Sequence, residues 1–255
     1  FMLLNYQIHL NETVTEKTPI VFIHGLFGSL SNLAMLAREF YKTHPVIQID
    51  VRNHGLSAHS DEMNYAVMAQ DILDTLDSIN IQKFSVIGHS MGGKIAMQLV
   101  HQAGERIEQL VVLDIAPFAY TQNHHEQIFK ALFAVQNSKV ENRQQAAQIM
   151  REYLHEEMVI QFLMKSFTQG RWLFNVDALF NHYSDILHWD TIQPCSKETL
   201  FIRGGGSVYI STTEHFAAIE QQFPKAKIQV VADAGHWLHA EKTQQVVDQI
   251  KKYLN

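Results

Sequence analysis

Short apolar runs alternate along this chain with longer stretches in which apolar residues recur every three or four positions. The short runs cover residues 3–10, 20–23, 46–50, 84–88, 110–114, 199–203 and 227–231. Several are apolar at every position, which predicts strands buried on both faces of a parallel sheet. Among the longer stretches, Val67, Met68, Ile72, Leu73, Leu76 and Ile79 form one face of a helix over 65–79, and Val246, Val247, Ile250, Tyr253 and Leu254 form one face of the last helix. Alternation of strand and helix predicts a doubly wound, mostly parallel α/β sheet.

The rhythm breaks once. Between Asp114 and Thr199 no strand is predicted; helical periodicity appears over 125–135, 143–154, 157–167 and 176–186. This reads as a helical cap over residues 118–196, inserted after the strand that ends at Asp114, with residues 2–117 and 197–255 forming the core. The cap is rich in aromatics, among them Phe129, Phe133, Phe162, Phe167, Trp172, Phe174 and Phe180. Most are expected to close the cap on itself, a minority to face down and line a pocket.

At 255 residues and 46% hydrophobic content the chain suits one large α/β domain with an insertion. A net charge of −6 with no Lys/Arg block argues against nucleic acid and against a polybasic membrane patch. A single cysteine, Cys195, excludes an intrachain disulfide and fits a reducing compartment. The start, Phe1-Met2-Leu3-Leu4, lacks the basic region of a secretory signal, and no apolar run reaches transmembrane length. The expectation is a cytoplasmic protein without membrane insertion.

Gly88-His89-Ser90-Met91-Gly92-Gly93 joins an apolar run to a helical stretch and has the G-x-S-x-G pattern of a nucleophile elbow. Such a turn lifts a serine above the sheet edge, and a Cβ at Gly88 or Gly92 would collide with the neighbouring strand or helix. A serine nucleophile needs a base and an oriented base needs an acceptor. His236, in the loop between the strand ending at Val231 and the last helix, is the expected base. His239 is expected to face elsewhere, and His54 falls in the wrong loop. Oxyanion donors are expected from the backbone N–H of Met91 and of Leu26, with Phe27 as the alternative to Leu26. Asp50, Asn53 and Ser57 read as residues that fix their own loop. No His-Glu-x-x-His and no paired cysteines occur, so neither a metal nor another cofactor is expected.

In this order His24-Gly25, residues 50–57, the Gly88–Gly93 elbow and Gly235-His236 resemble the α/β-hydrolase superfamily over nearly the whole chain. His24-Gly25-Leu26-Phe27-Gly28-Ser29, Arg52-Asn53-His54-Gly55-Leu56-Ser57, Asp114-Ile115-Ala116-Pro117 and Gly235-His236-Trp237 are similar to the small bacterial YbfF-type esterases. The resemblance implies hydrolysis of acyl esters, with acyl-CoA thioesters as natural substrates. Most members place the triad acid after the strand that follows the cap, but here residues 203–210 contain neither Asp nor Glu. The resemblance assigns the acid to Asp114, with Ser207 at the later loop donating to Asp114 or touching His236. Asp233 is too near His236 in sequence to meet it across a turn.

Phe27, Arg52 and His89 are the expected substrate contacts. Arg52, Lys94, Lys165 and Arg171 are candidates by type for a CoA phosphate, although solvated surface charge is the preferred reading of each. A serine at the elbow argues against the aspartate-nucleophile epoxide and haloalkane hydrolases. Carbon–carbon bond hydrolases, cofactor-free perhydrolases and non-catalytic binding proteins of the same fold keep such motifs and stay open.

Overall fold

The computed structural model describes residues 1–255. In chain order the elements are β1 (Tyr6–His9), β2 (Ile20–Ile23), α1 (Ala34–Arg38), β3 (Val46–Ile49), α2 (Tyr65–Ser78), β4 (Phe84–His89), α3 (Met91–Ala103), β5 (Ile107–Leu113), α4 (Glu126–Ser138), α5 (Arg143–Arg151), α6 (Glu157–Met164), β6 (Phe167–Thr168), β7 (Arg171–Trp172), α7 (Val176–Asn181), α8 (Tyr183–Leu187), β8 (Thr199–Gly204), α9 (Thr213–Gln222), β9 (Ala226–Val231), α10 (Leu238–Glu241) and α11 (Thr243–Tyr253). All seven strands expected from the apolar runs are present.

Those seven strands form one sheet in the order β1-β3-β2-β4-β5-β8-β9. Only β1 runs antiparallel. The period of two along each strand divides the core. Val21, Ile23, Val86, Leu110 and Val112 point to one face, beneath α2, α3 and the helical segment. Ile20, Phe22, Ile87, Val111 and Leu113 point to the other, with Val246, Val247 and Ile250 of α11. Because both faces are covered, β2, β3 and β4 are buried at every position, which is why their sequences show no alternation.

Residues 115–198 add no strand to this sheet; β5 pairs directly with β8. Two details differ from the sequence expectation. Phe167–Thr168 and Arg171–Trp172 form a small antiparallel hairpin around Gln169 and Gly170, both at positive φ. Two-residue strands are too short for a period to register. The helix expected over 176–186 is two helices, broken at His182.

The parallel register fixes the site. Ile23 pairs with Gly88, His89 with Leu113, and Leu113 with Ile202. The C-terminal ends of the central strands therefore finish level, and the loops after them converge on one edge. The backbone continues this: Ser90 N–H donates to Leu113 O (3.0 Å) and Asp114 N–H to Ile202 O (2.8 Å).

At the elbow, a Cβ on Gly92 would overlap the carbonyl oxygens of Ile23 and His24, and one on Gly88 would overlap the Gly92 carbonyl. Gly92→Ala should therefore lower the unfolding free energy by about 3 kcal/mol or more. At Gly104, whose φ is −55° and where a Cβ meets nothing within 4 Å, Gly104→Ala should be neutral or stabilising by up to about 1 kcal/mol. Urea denaturation of the two variants checks the contrast.

Candidate active site

Ser90, the residue just before α3, has φ +57°, a positive value that a residue with a Cβ adopts only at the expense of about 1–2 kcal/mol. The strain aims its hydroxyl over the sheet edge at His236. Ser90 Oγ donates to His236 Nε2 at 2.8 Å. His236 Nδ1–H donates to Asp114 Oδ2 at 2.6 Å. Asp114, one residue past β5 and also at positive φ (+55°), is fully buried. Its Oδ2 accepts the Ser207 hydroxyl (2.5 Å) and its Oδ1 the N–H of Gly204 (2.9 Å). The structure thus brings Ser90, His236, Asp114 and Ser207 into one hydrogen-bonded chain. Asp233 is exposed and takes no part in it.

The loop after β2 carries the expected backbone donors. The N–H groups of Leu26 and Met91 make no backbone hydrogen bond. That of Phe27 donates to His54 Nε2 at 3.0 Å, which removes Phe27 as the alternative donor and gives His54 its place. His54 Nδ1 is 2.9 Å from Arg52 O, so its proton lies on Nδ1. His24 repeats the arrangement, with Nε2 accepting Val51 N–H (3.0 Å) and Nδ1 against Gly25 O (2.8 Å). Two neutral imidazoles therefore clamp the loop after β2 to the loop after β3. The latter is fixed as expected: Asp50 accepts the N–H groups of Leu30 and Leu56, and Ser57 Oγ donates to Asp50 O.

A cavity of about 470 Å³ opens over Ser90 and His236. Leu26, Phe27, Met91, Ile115, Ile128 and Phe162 are among its lining residues. Phe129, Trp172 and Phe174 pack in the core and do not border the cavity, so among the Phe and Trp side chains of residues 118–196 only Phe162 lines it. Phe27 and His89 both border the cavity; His89 Nε2–H also donates to His236 O at 2.7 Å.

Three expectations fail. Arg52 does not reach the cavity; it is buried in an ion pair with Asp71 (2.6 Å) and donates to Glu62 O. Its guanidinium fork matches one carboxylate and one carbonyl inside the protein, leaving nothing for substrate. Lys94 is not a solvated charge. It is 1% exposed, borders the cavity, and donates to the carbonyls of Leu187 (2.9 Å) and His188 (3.2 Å) at the end of α8. The rings of Tyr120, Tyr65 and Trp189 surround its Nζ at 4.9–6.0 Å, and burial without a carboxylate partner pushes its pKa down to about 7. His239 does not face elsewhere. It borders the same cavity, 4.3 Å from the His89 ring, and its Nδ1 has no partner. The signal for Lys94 was its position four residues after Ser90, one helical turn along the same face.

A family model described as alpha/beta hydrolase fold matches residues 18–243. The chain is 49% identical over 254 residues to esterase YbfF of Escherichia coli (strain K12), covering 100% of both. It is 37% identical over 247 residues to the sn-1-specific diacylglycerol lipase ABHD11 of Mus musculus, covering 92% of this chain and 80% of that protein. A solved marine microorganism esterase superposes with a TM-score of 0.93 at 31% identity, covering 100% of both chains. No helix is long and apolar enough to cross a membrane.

The buried histidines make stability pH-dependent. Burial, reinforced by His24, lowers the pKa of His54 to about 3; burial, with His236, lowers those of His239 to about 3 and His125 to about 4. Each is neutral when folded and takes up a proton near pH 6.5 once unfolded. The unfolded state therefore binds more protons at every pH between about 6.5 and those lowered values. Stability is full above 6.5 and falls as the pH drops, by up to about 1.4 kcal/mol per unit for each group. Denaturant titrations from pH 7.5 to 5 should show this slope. His54→Gln, whose Oε1 can accept the Phe27 N–H, should make it shallower by about one proton.

Proposed function

The chain belongs to the α/β-hydrolase family, in its YbfF type, and we propose that it is a serine hydrolase that cleaves carboxylic esters or acyl-CoA thioesters through an acyl-Ser90 intermediate. The observation that carries the reading is the unbroken hydrogen-bond path from Ser90 through His236 to Asp114 at the floor of a largely apolar cavity. A serine hydroxyl alone is a weak nucleophile; a neutral imidazole at its oxygen, held in the Nδ1–H tautomer by a carboxylate, is the arrangement that activates it.

In the proposed reaction the Ser90 oxygen attacks the acyl carbonyl while its proton passes to His236 Nε2. The N–H groups of Leu26 and Met91 receive the negative charge that develops on the carbonyl oxygen. His236 then gives its proton to the leaving alcohol or thiol, and the bond to the leaving group breaks. A water, losing its proton to the same Nε2, attacks the acyl-Ser90 carbonyl and releases the carboxylic acid. Asp114 keeps the imidazole oriented and stabilises its cationic form. Ser207 and Gly204 steady Asp114 by donating to its two oxygens. The apolar lining around Leu26, Ile128 and Phe162 supports an apolar acyl group.

A fluorophosphonate probe should label the wild type covalently, and Ser90→Ala should abolish labelling and lower turnover on the order of 10⁶-fold. Folded wild-type protein that takes no label would overturn the reading. Asp114→Asn should lower kcat by about 10⁴-fold, because Asn can stabilise the wrong imidazole tautomer, whereas Asp233→Asn should stay near wild type. Steady-state rates on alkyl esters and CoA thioesters of the same acyl groups decide between the two substrate classes.

A further inference from the structure

His236 is held in its ring plane by two hydrogen bonds, from Ser90 at Nε2 and to Asp114 at Nδ1. These leave rotation about the line through the two contacts open. Packing closes it. The ring of Tyr209 stacks on the imidazole with centroids 4.1 Å apart and planes 28° apart. Tyr209 is itself fixed at both backbone ends: its N–H donates to Ser207 Oγ (3.3 Å) and its carbonyl accepts the Tyr120 hydroxyl (2.5 Å). Since Ser207 also donates to Asp114, one short segment, 207–209, sets both the acid and the ring against the imidazole.

During acyl transfer, His236 becomes an imidazolium for as long as it holds the Ser90 proton. An aromatic face carries negative charge density and attracts a cation placed over it. We propose that Tyr209 is a positioning residue whose ring face stabilises the imidazolium form of His236, raising turnover and setting the lower pH bound of activity. This rests on the serine-hydrolase reading and adds to it a residue outside the proton path.

The other groups around His236 do not supply this stabilisation through a ring face stacked on it. Asp114 meets Nδ1 in the ring plane, as does Ser90 at Nε2. His89 of β4 is tilted by 40° at 4.8 Å, and His239 of α10 packs on His89. Burial keeps these two, and His125 ahead of α4, in their neutral forms. Glu241 accepts the N–H of Gly235 beside His236, and Ser207 is engaged with Asp114.

The test compares kcat, KM and the pH profile of kcat/KM for substitutions at Tyr209. Tyr209→Phe keeps the ring and should stay within about twofold of wild type. Because Tyr209 also borders the cavity, the pH profile and not KM is the deciding readout. Tyr209→Leu should lower kcat by about 2- to 30-fold. It should also move the acid limb of the profile to lower pH, because a less stable imidazolium loses its proton sooner. Should the leucine variant fold poorly, 3,4,5-trifluorophenylalanine in place of Tyr209 keeps the ring shape while emptying its face. Relative to Tyr209→Phe it should reproduce the loss of kcat and the acid-limb shift. An acid limb that stays put in every variant overturns the proposal, whatever happens to kcat, because a merely structural role would leave the limb unmoved. A wild type that neither hydrolyses esters nor takes label at Ser90 rejects instead the reading beneath it.

Discussion

The site is organised around one buried carboxylate. Asp114 has no contact with water, and an ionised group in that position is tolerated only when donors surround it. Three donors meet it, and each comes from a different part of the backbone: the N–H of Gly204 at the end of β8, the hydroxyl of Ser207 three residues on, and the imidazole N–H of His236 after β9. Satisfying this one group therefore draws the ends of β5, β8 and β9 together and orients the ring that faces Ser90. The level register of the parallel strands makes the convergence possible, since a slip of one residue would carry Asp114 to the opposite face of the sheet.

Backbone strain is concentrated at the same edge. Phe27, Asn53, Ser90 and Asp114 all adopt positive φ without being glycine, and they follow β2, β3, β4 and β5 in turn. Each conformation is unfavourable by about 1–3 kcal/mol, and each is held by a specific contact. The Phe27 N–H is fixed by His54, Asn53 Oδ1 accepts Ser60 N–H, and Ser90 and Asp114 donate their N–H groups to the strand alongside. A rigid, fully covered sheet beneath is what allows four such turns side by side.

The sheet was legible in the sequence because short apolar runs mark all seven strands, and the central ones, covered on both faces, are apolar almost throughout, whereas the edge strands β1 and β9 stay partly exposed and carry polar residues. The elbow was legible because its steric demands restrict residue type: only glycine fits against Ile23 and His24 at position 92. The placing of Asp114 rested on an absence, a loop after β8 without a carboxylate, read against a family pattern. What the sequence hid was burial of charge. Arg52 and Lys94 carry side chains that usually reach water, and the Arg52 partners, Asp71 and Glu62, lie 19 and 10 residues away in sequence. Leu187 and His188, which hold Lys94, lie more than 90 residues away. Their roles come from tertiary contact that no local periodicity carries. The hairpin around Gly170 and the break at His182 are similar cases, being shorter than the periods used to find them.

The hydrogen bond between Ser207 and Asp114 closes a loop of 93 residues in sequence, and the whole segment between β5 and β8 lies inside it. The two ends of that segment are thus joined at its root by the β5–β8 pairing and, one step beyond it, by this hydrogen bond. Much of the surface a substrate would meet, including Ile128, Met158 and Phe162, belongs to this enclosed stretch, while Ser90, His236 and Asp114 stand outside it. The floor of the cavity and much of its roof are therefore separate stretches of chain, so a change within the enclosed stretch reshapes the cavity while the hydrogen bonds that anchor its two ends stay in place.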